Sequence, residues 1–405
     1  MAQVAVLGYG VVGSGTVEVL EKNASRIAKN AGQRITVKSI LEIRDFPDSP
    51  HRDKFVKTFE EIENDDDISV VAEVIGGVDL ALDYTRRCLK AGKSVVTSNK
   101  EIVAKHGYEL LKLAGENGVN YLFEASVGGG IPVVRPIAQC ISANRINEIY
   151  GILNGTTNYI LSEMTKKGTE FEDALKDAQQ KGYAEADPTA DIEGHDACRK
   201  ICILSSLAFG HHVYPEQVPT RGITAITAED MNFAAELGYK IKLLGRSRAI
   251  GDKVAAYVGP HLISQDNLLS HVDGVMNGVV IRGNAVGDVM FYGAGAGKLP
   301  TASAVAADII DAVKHRYARK LIGWGEGGEE YAADPMQLES AWYIRTNVDR
   351  EKVRREFGDV IFAEGAFDTK STIAFKTGYM SGNIIKDLID REIPALSLFR
   401  ILGDY

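Results

Sequence analysis

The stretch 182–200, GYAEADPTADIEGHDACRK, places Glu185, Asp187, Asp191, Glu193 and Asp196 within twelve residues and ends on Arg199 and Lys200. An apolar run, ICILSSLAF, follows. Gly194 breaks the acidic segment, and HDACRKICILSSLAF has the periodicity of an amphipathic helix. Asp196 and Lys200 are four apart and share one face of its first turns. That pair is either an exposed ion pair worth ~0.3–0.5 kcal/mol or an acid/base lysine held by a carboxylate. A lysine suits protonation of a carbonyl that becomes an alkoxide as hydride arrives. The other carboxylates could then bind a substrate ammonium. Asp187, Asp191 and Glu193 could instead ligate a divalent cation, but their spacing departs from the calcium-loop pattern and no histidine cluster suggests zinc. His211 and His212 read as a surface pair.

Such chemistry needs elements to position it. QVAVLG at 3–8 reads as a buried strand, and GYGVVGSG opens a helix with Gly8, Gly10 and Gly13 in the G-x-G-x-x-G pattern. The first glycine permits a tight turn, the second admits a pyrophosphate, and the third lets helix pack on strand. The helix N-terminus then offers free N–H groups to phosphate. The bland alternative is a glycine-rich structural turn. The strand–helix alternation continues through strands at 35–41, 69–77, 94–100 and 119–125, which implies a parallel doubly wound sheet. Ligands of such sheets lie beyond the carboxyl ends of strands. Gly76, Gly77, Asn99, Lys100 and Glu124 fall there.

After about residue 145 the rhythm changes. Helices near 156–168, 170–181 and 194–209 precede strand-like segments at 239–250, 253–260 and 278–293. A second glycine loop, GAGAGKLP, contains Gly295, opens another helix and could return the chain to the nucleotide. From 339 the order reads β-α-β-β-α-β, the split βαβ of ferredoxin-like units. The expected fold is α/β: a Rossmann-type doubly wound sheet at 1–145, with a helix near 300–320 packed back on it. An α+β catalytic and dimerisation domain at 146–325 and a small βαββαβ domain at 339–405 follow.

A chain of 405 residues that is 45% hydrophobic can bury a sizeable core. A net charge of −9, without long basic runs, argues against a nucleic-acid partner. MAQVAVLGYG lacks the basic start of a signal peptide, and no apolar stretch reaches 18 residues, so no membrane association is expected. Cys88, Cys140, Cys198 and Cys202 form no C-x-x-C pair and fit a reducing, cytoplasmic setting.

The segments GYGVVGSG, VVTSNKEIVAKHG, FEASVGGGIPVVRP, GILNGTTNYIL, GYAEADPTADIEGHDACRK and FYGAGAGKLPTASAV occur in this order across residues 1–330. Together they resemble homoserine dehydrogenase. The resemblance implies reversible hydride transfer between L-homoserine and L-aspartate 4-semialdehyde, on the route to threonine, methionine and isoleucine. It implies Lys200 as proton donor, Asp196 as its aid, and Lys100 beside the nicotinamide as the third catalytic residue. Glu185 would bind the substrate ammonium with Tyr183 and Asp191 beside it, and Thr156 would face the substrate. Gly8, Gly10, Val11, Val12, Gly13, Arg44, Lys57, Gly76, Lys100 and Gly295 would hold the nucleotide.

FEASVGGGIP is similar to the family's monovalent-cation loop, which implies a structural Na+ on Glu124, Val127, Gly129 and Ile131. Both Glu42 and Arg44 stand after the second strand. An acid there suits NADH and a basic residue suits NADPH; NADPH is the expected choice. The C-terminal unit resembles an ACT regulatory domain whose effector-binding turn is replaced by TNVDREKVRREFG, so feedback by threonine through it is not expected. A homodimer or homotetramer is implied. Two rivals remain at this stage. One is a thioester-forming semialdehyde dehydrogenase, with Cys140 as its candidate nucleophile. The other is a non-catalytic nucleotide and amino-acid sensor, which would leave Lys100, Asp196 and Lys200 without a role.

Overall fold

The computed structural model describes residues 1–364 and 372–403. The chain forms two units, one of residues 1–145, 202–215 and 293–328, the other of residues 146–201, 216–292 and 329–405.

In the first unit, strands β1 (Ala2–Leu7), β2 (Ile35–Leu41), β3 (Phe55–Val56), β4 (Ile68–Glu73), β5 (Ser94–Thr97) and β6 (Tyr121–Leu122) pair in parallel in the order β3-β2-β1-β4-β5-β6. Val4, Ala5, Val6 and Leu7 are all inaccessible to solvent, as a strand covered on both faces requires. The strand expected over 119–125 shrinks to Tyr121–Leu122 because Glu124–Ser126 coils into a turn. The helix Lys298–Lys314 folds with this unit. Ala302, Val305, Ile309 and Ala312 line its buried face. Val305, Ile309 and Ala312 join Val17, Leu20, Val4 and Ala72 in one apolar cluster. Each large aliphatic chain so buried contributes about 1.5–3 kcal/mol relative to exposure.

His212, expected at the surface, is buried. Its Nε2 lies 2.8 Å from the Ala104 carbonyl, and its Nδ1 accepts the Trp324 indole N–H at 3.1 Å. Both partners are more than a hundred residues away, which is why local sequence could not show the burial.

The second unit contains β7 (Ile146–Ile152), β8 (Tyr239–Ile250), β9 (Lys253–Ser264), β10 (Met276–Gly283), β11 (Gly287–Ala294), β12 (Glu339–Thr346), β13 (Ile361–Phe362), β14 (Ile373–Lys376), β15 (Met380–Ser381) and β16 (Ser397–Leu402). Their sheet runs β11-β10-β7-β8-β9-β16-β12-β14-β13, with β15 beside β12. The segment 278–293 is a hairpin of β10 and β11 rather than one strand. The helices Gly155–Lys167 and Ala228–Glu236 pack on the sheet at β8.

The C-terminal order β12, helix Arg350–Phe357, β13, β14, helix Gly382–Arg391, β16 is the split βαβ, with antiparallel neighbours. Residues 365–371 and 404–405, which that reading included, lie outside the described residues. β16 also pairs in parallel with β9, Arg400 opposite His261 and Leu402 opposite Ile263, so one sheet runs through the whole unit. Buried Asp230 strengthens this join. It accepts hydrogen bonds from Arg345 Nε (2.8 Å), the Tyr343 hydroxyl (3.0 Å) and Ser397 Oγ (2.9 Å). A buried carboxylate is tolerated when its oxygens are satisfied in this way. Among the described residues no helix is long and apolar enough to cross a membrane.

Candidate active site and nucleotide turn

The nucleotide turn is built by backbone sterics. Gly8 leaves β1 at φ +95°, and a Cβ on Gly13 would lie 2.0 Å from the Gly8 carbonyl oxygen, so no other residue fits without opening the turn. Gly10 caps the helix Val11–Lys22 without a side-chain bond, and a Cβ on it would meet nothing within 4 Å. The helix N-terminus therefore opens onto free space, as a phosphate cradle requires. Val11 is exposed there and Val12 is partly buried.

Glu42 follows β2. Its carboxylate accepts the Tyr9 N–H (3.0 Å) and three bonds from Arg44: the backbone N–H (3.1 Å), Nε (3.0 Å) and Nη2 (2.9 Å). The Arg44 guanidinium holds the Glu42 carboxyl down at about 2, against the opposing effect of burial. Sequence alone set Glu42 and Arg44 as alternatives; the fold makes them one ion pair. The Lys57 ammonium bonds the carbonyls of Ile43 and Arg44 and the Asp45 carboxylate, and so shapes the loop that carries Arg44.

At the carboxyl ends of β4 and β5 lies a polar chain that joins Asn99 and Gly77 to two residues sequence reading missed, Glu73 and Thr97. Glu73 is fully buried; its Oε1 accepts the Ile75 N–H (2.9 Å) and its Oε2 accepts the Thr97 hydroxyl (2.6 Å). Thr97 Oγ1 in turn accepts the Asn99 N–H (2.9 Å). Asn99 donates to the Gly77 carbonyl (2.7 Å) and caps the helix Lys100–Glu116 through Ile102 N–H. One chain of bonds thus fixes the loop at Gly76 and the helix start that carries Lys100. Burial pushes Glu73 up to about 7, against the two hydrogen bonds it accepts. The available signal was a glutamate ending an otherwise apolar strand, SVVAE.

Glu124 is buried, and its carboxylate accepts three backbone N–H groups, from Val133 (2.7 Å), Val134 (2.9 Å) and Arg135 (2.8 Å). Its own N–H donates to Asp308 Oδ2 (2.8 Å), and Asp308 pairs with Arg135. Among the described residues no hydrogen bond reaches the carbonyls of Val127, Gly129 or Ile131. The Gly295 carbonyl lies against Gly129.

In the second unit, Gly194 takes φ +83° and turns the acidic loop into the helix His195–Phe209. Asp196 and Lys200 lie on its first turns, and both are buried, the side chains 8% and 11% exposed. Lys200 Nζ donates to Asp196 Oδ2 (2.7 Å) and to the Leu153 carbonyl (2.7 Å). The bland reading of an exposed ion pair is thereby excluded. Asp191 and Asp196 are joined by Asn154, whose amide donates to both, at 2.7 and 2.9 Å. Asn154 is another residue that sequence reading missed; the structure shows it capping the helix Gly155–Lys167. Thr156 Oγ1 donates to the Tyr183 carbonyl (2.8 Å), and the Tyr183 ring stands 4.8 Å from that of Tyr159. Glu185 is exposed, with its carboxylate outside the Asp191–Asn154–Asp196–Lys200 network.

Cys140 is exposed and has no hydrogen-bonded base among the described residues, so the thioester chemistry finds no support. Among the described residues no group of three or more His, Cys, Asp or Glu is placed to hold a metal ion.

Known proteins agree with this architecture. A family model for the homoserine dehydrogenase NAD-binding domain matches residues 8–124, and one for homoserine dehydrogenase matches residues 132–310. A homoserine dehydrogenase of Pseudomonas aeruginosa is 47% identical over 77% of this chain and 72% of its own length. The crystal structure of one from Thiobacillus denitrificans superposes with a TM-score of 0.89 at 36% identity, over 99% of this chain and 98% of that one. A hyperthermophilic archaeal homoserine dehydrogenase in complex with NADPH gives 0.66 at 29% identity, over 77% of this chain and 97% of that one. A glycine turn built for a dinucleotide and a buried lysine–aspartate pair beside further carboxylates are what an NAD(P)-dependent oxidoreductase acting on an amino alcohol needs, and the chain belongs to the homoserine dehydrogenase family.

Proposed function

We propose that Lys200, Asp196 and Lys100 carry the interconversion of L-homoserine and L-aspartate 4-semialdehyde, with Lys200 as the group that gives and takes the proton at the substrate oxygen. The observation that supports this most is the double anchoring of Lys200. Two of its three N–H groups point at Asp196 and the Leu153 carbonyl, which leaves one to meet a substrate oxygen. The bound nicotinamide supplies or accepts the hydride. Asp196 holds the Lys200 side chain in place through the hydrogen bond it accepts, and the proton that Lys200 gives to the substrate oxygen is regained from solvent. Lys100, at the head of its helix, orients the substrate and favours negative charge on the reacting oxygen. Glu185 and Asp191 bind the substrate ammonium, with Tyr183 beside them and Thr156 facing the substrate.

Gly8, Gly10, Val11, Val12 and Gly13 hold the pyrophosphate of the nucleotide, and Gly76, Lys100 and Gly295 complete its cradle. NADPH is the preferred form. Arg44 neutralises Glu42, which lowers the repulsion a 2′-phosphate would meet, and Lys57 holds the loop. The archaeal relative with bound NADPH supports the same choice. A structural Na+ fits the turn 124–131 through main-chain carbonyls of Glu124, Val127, Gly129 and Ile131, since the Glu124 carboxylate is already committed to three N–H groups. The ion would tie these carbonyls together and stiffen the loop. The protein is a homodimer or homotetramer of the cytoplasm.

The test is nicotinamide reduction by L-homoserine, with NADP⁺ and NAD⁺ in parallel, for the wild type and Lys200→Ala. Lys200→Ala should lose at least about 1000-fold in kcat while still binding NADPH, because proton transfer assists only the transition state. Turnover within threefold of wild type would remove Lys200 from the mechanism.

A further inference from the structure

Asn154 does more than a cap requires. Its side chain is almost wholly buried and makes four hydrogen bonds. Oδ1 accepts the N–H and the hydroxyl of Thr157, at 2.8 and 3.0 Å, which is the capping function for the helix Gly155–Lys167. Capping uses only that oxygen. The two N–H bonds are surplus to it, and each goes to a carboxylate from the acidic segment: Asp191 Oδ1 and Asp196 Oδ2. The residue before it, Leu153, gives its carbonyl to Lys200. The turn 153–154 therefore contacts three charged groups at once.

The chemistry of the amide explains its use here. Two carboxylates converging on one point repel, and a neutral group with two N–H donors and no charge of its own can bridge them. Asp196 Oδ2 consequently receives one hydrogen bond from Asn154 and one from Lys200, so rotation of the Asp196 carboxyl is restrained from both sides. The same amide restrains Asp191. Any shift of Asp191 toward a substrate ammonium is then transmitted through a single rigid amide to the carboxylate that orients the proton donor.

We infer that Asn154 is a positioning residue that couples ammonium recognition at Asp191 to the orientation of the Asp196–Lys200 proton donor. This rests on the roles proposed above for Lys200 and Asp191. Asn154 itself touches no reacting atom; it acts through the two aspartates.

The experiment separates the cap from the bridge. Asn154→Ser keeps an N-cap oxygen of equal rank but has no pair of N–H donors. Its NADPH affinity should match wild type, and its thermal midpoint should fall by no more than the loss of two hydrogen bonds to carboxylates brings. Its kcat should fall by about 10- to 100-fold, the loss expected when a hydrogen bond to a charged group is removed, and its KM for L-homoserine should rise with it. Asn154→Asp also caps, but sets a third carboxylate against two others, so it should lose more than the serine variant. A double-mutant cycle with Asp191→Ala gives the coupling: the effect of Asp191→Ala on KM should be smaller in the Asn154→Ser background.

Wild-type kcat and KM in Asn154→Ser, in a protein whose Lys200→Ala variant is inactive, would reduce Asn154 to a helix cap and overturn the inference alone. Wild-type turnover in Lys200→Ala would overturn the reading of the site, and the inference with it. Should the serine variant be too unstable to assay, the aspartate variant decides, since wild-type activity there is incompatible with a bridge.

Discussion

Glu73 offers a prediction whose size follows from its burial. Its carboxyl is inaccessible to solvent beneath the loop 75–77, and burial raises it from 4.5 to about 7 in the folded chain. Because the folded-state value lies above the unfolded one, the proton on Glu73 stabilises the fold fully below pH ~4.5. That contribution is lost as the pH rises through about 7. Between about pH 5 and pH 8.5 the linkage amounts to about 2.5 kcal/mol, from a shift of roughly 2.5 pH units at about 1.4 kcal/mol each, less the part already lost at pH 5. Glu73→Gln keeps the shape and cannot titrate. The stability of the variant minus that of the wild type should therefore rise by about 2.5 kcal/mol across this range, and every other titrating group cancels in the difference.

The assay is urea unfolding at the two pH values. The chain has two tryptophans, Trp324 in the first unit and Trp342 in the second, so a Trp342→Phe background lets Trp324 fluorescence report the unit that holds Glu73. A difference that stays constant within about 0.5 kcal/mol would show that Glu73 ionises at its ordinary value in the folded protein. The account of the buried chain from Glu73 through Thr97 to Asn99 would then be wrong about its charge.

Two further outcomes test the nucleotide turn. Gly13→Ala must move the Gly8 carbonyl away from a Cβ only 2.0 Å distant. NADPH affinity by fluorescence titration should weaken by about 100-fold, or about 2.7 kcal/mol, and a change below threefold would show that the turn is not the phosphate cradle. Glu42→Gln frees Arg44 from its partner and removes a negative charge near the ribose. The ratio of kcat/KM for NADP⁺ over NAD⁺ should rise by about tenfold, the order of one like-charge contact, and an unchanged ratio would place the ribose elsewhere.

What the sequence determined by itself was local. The spacing of Gly8, Gly10 and Gly13 dictates a turn that needs glycine at 8, where φ is +95°, and at 13, where a Cβ would clash with backbone five residues away. The four-residue spacing of Asp196 and Lys200 puts both on one helix face whatever surrounds them. Helices over Gly155–Lys167, Phe171–Gln180 and His195–Phe209 follow from periodicity and from the glycines at 168, 182 and 194. The β-α-β-β-α-β order near the C-terminus was legible for the same reason.

Tertiary structure decided what depends on distant partners. Lys200 is a buried, doubly held lysine rather than a surface one because the Leu153 carbonyl, 47 positions away, accepts from it and the Asn154 amide holds its partner Asp196. Glu73 is perturbed because neighbouring strands bury it, against the hydrogen bond that Thr97, 24 positions on, gives its oxygen. Glu42 and Arg44 looked like competing signals for two cofactors, and became one ion pair when the Tyr9 N–H drew the carboxylate inward. The C-terminal segment read as a separate module until β16 aligned with β9 and Asp230 took up Arg345. Burial, pairing and register are set by long-range packing, and residue spacing along the chain carries no record of it.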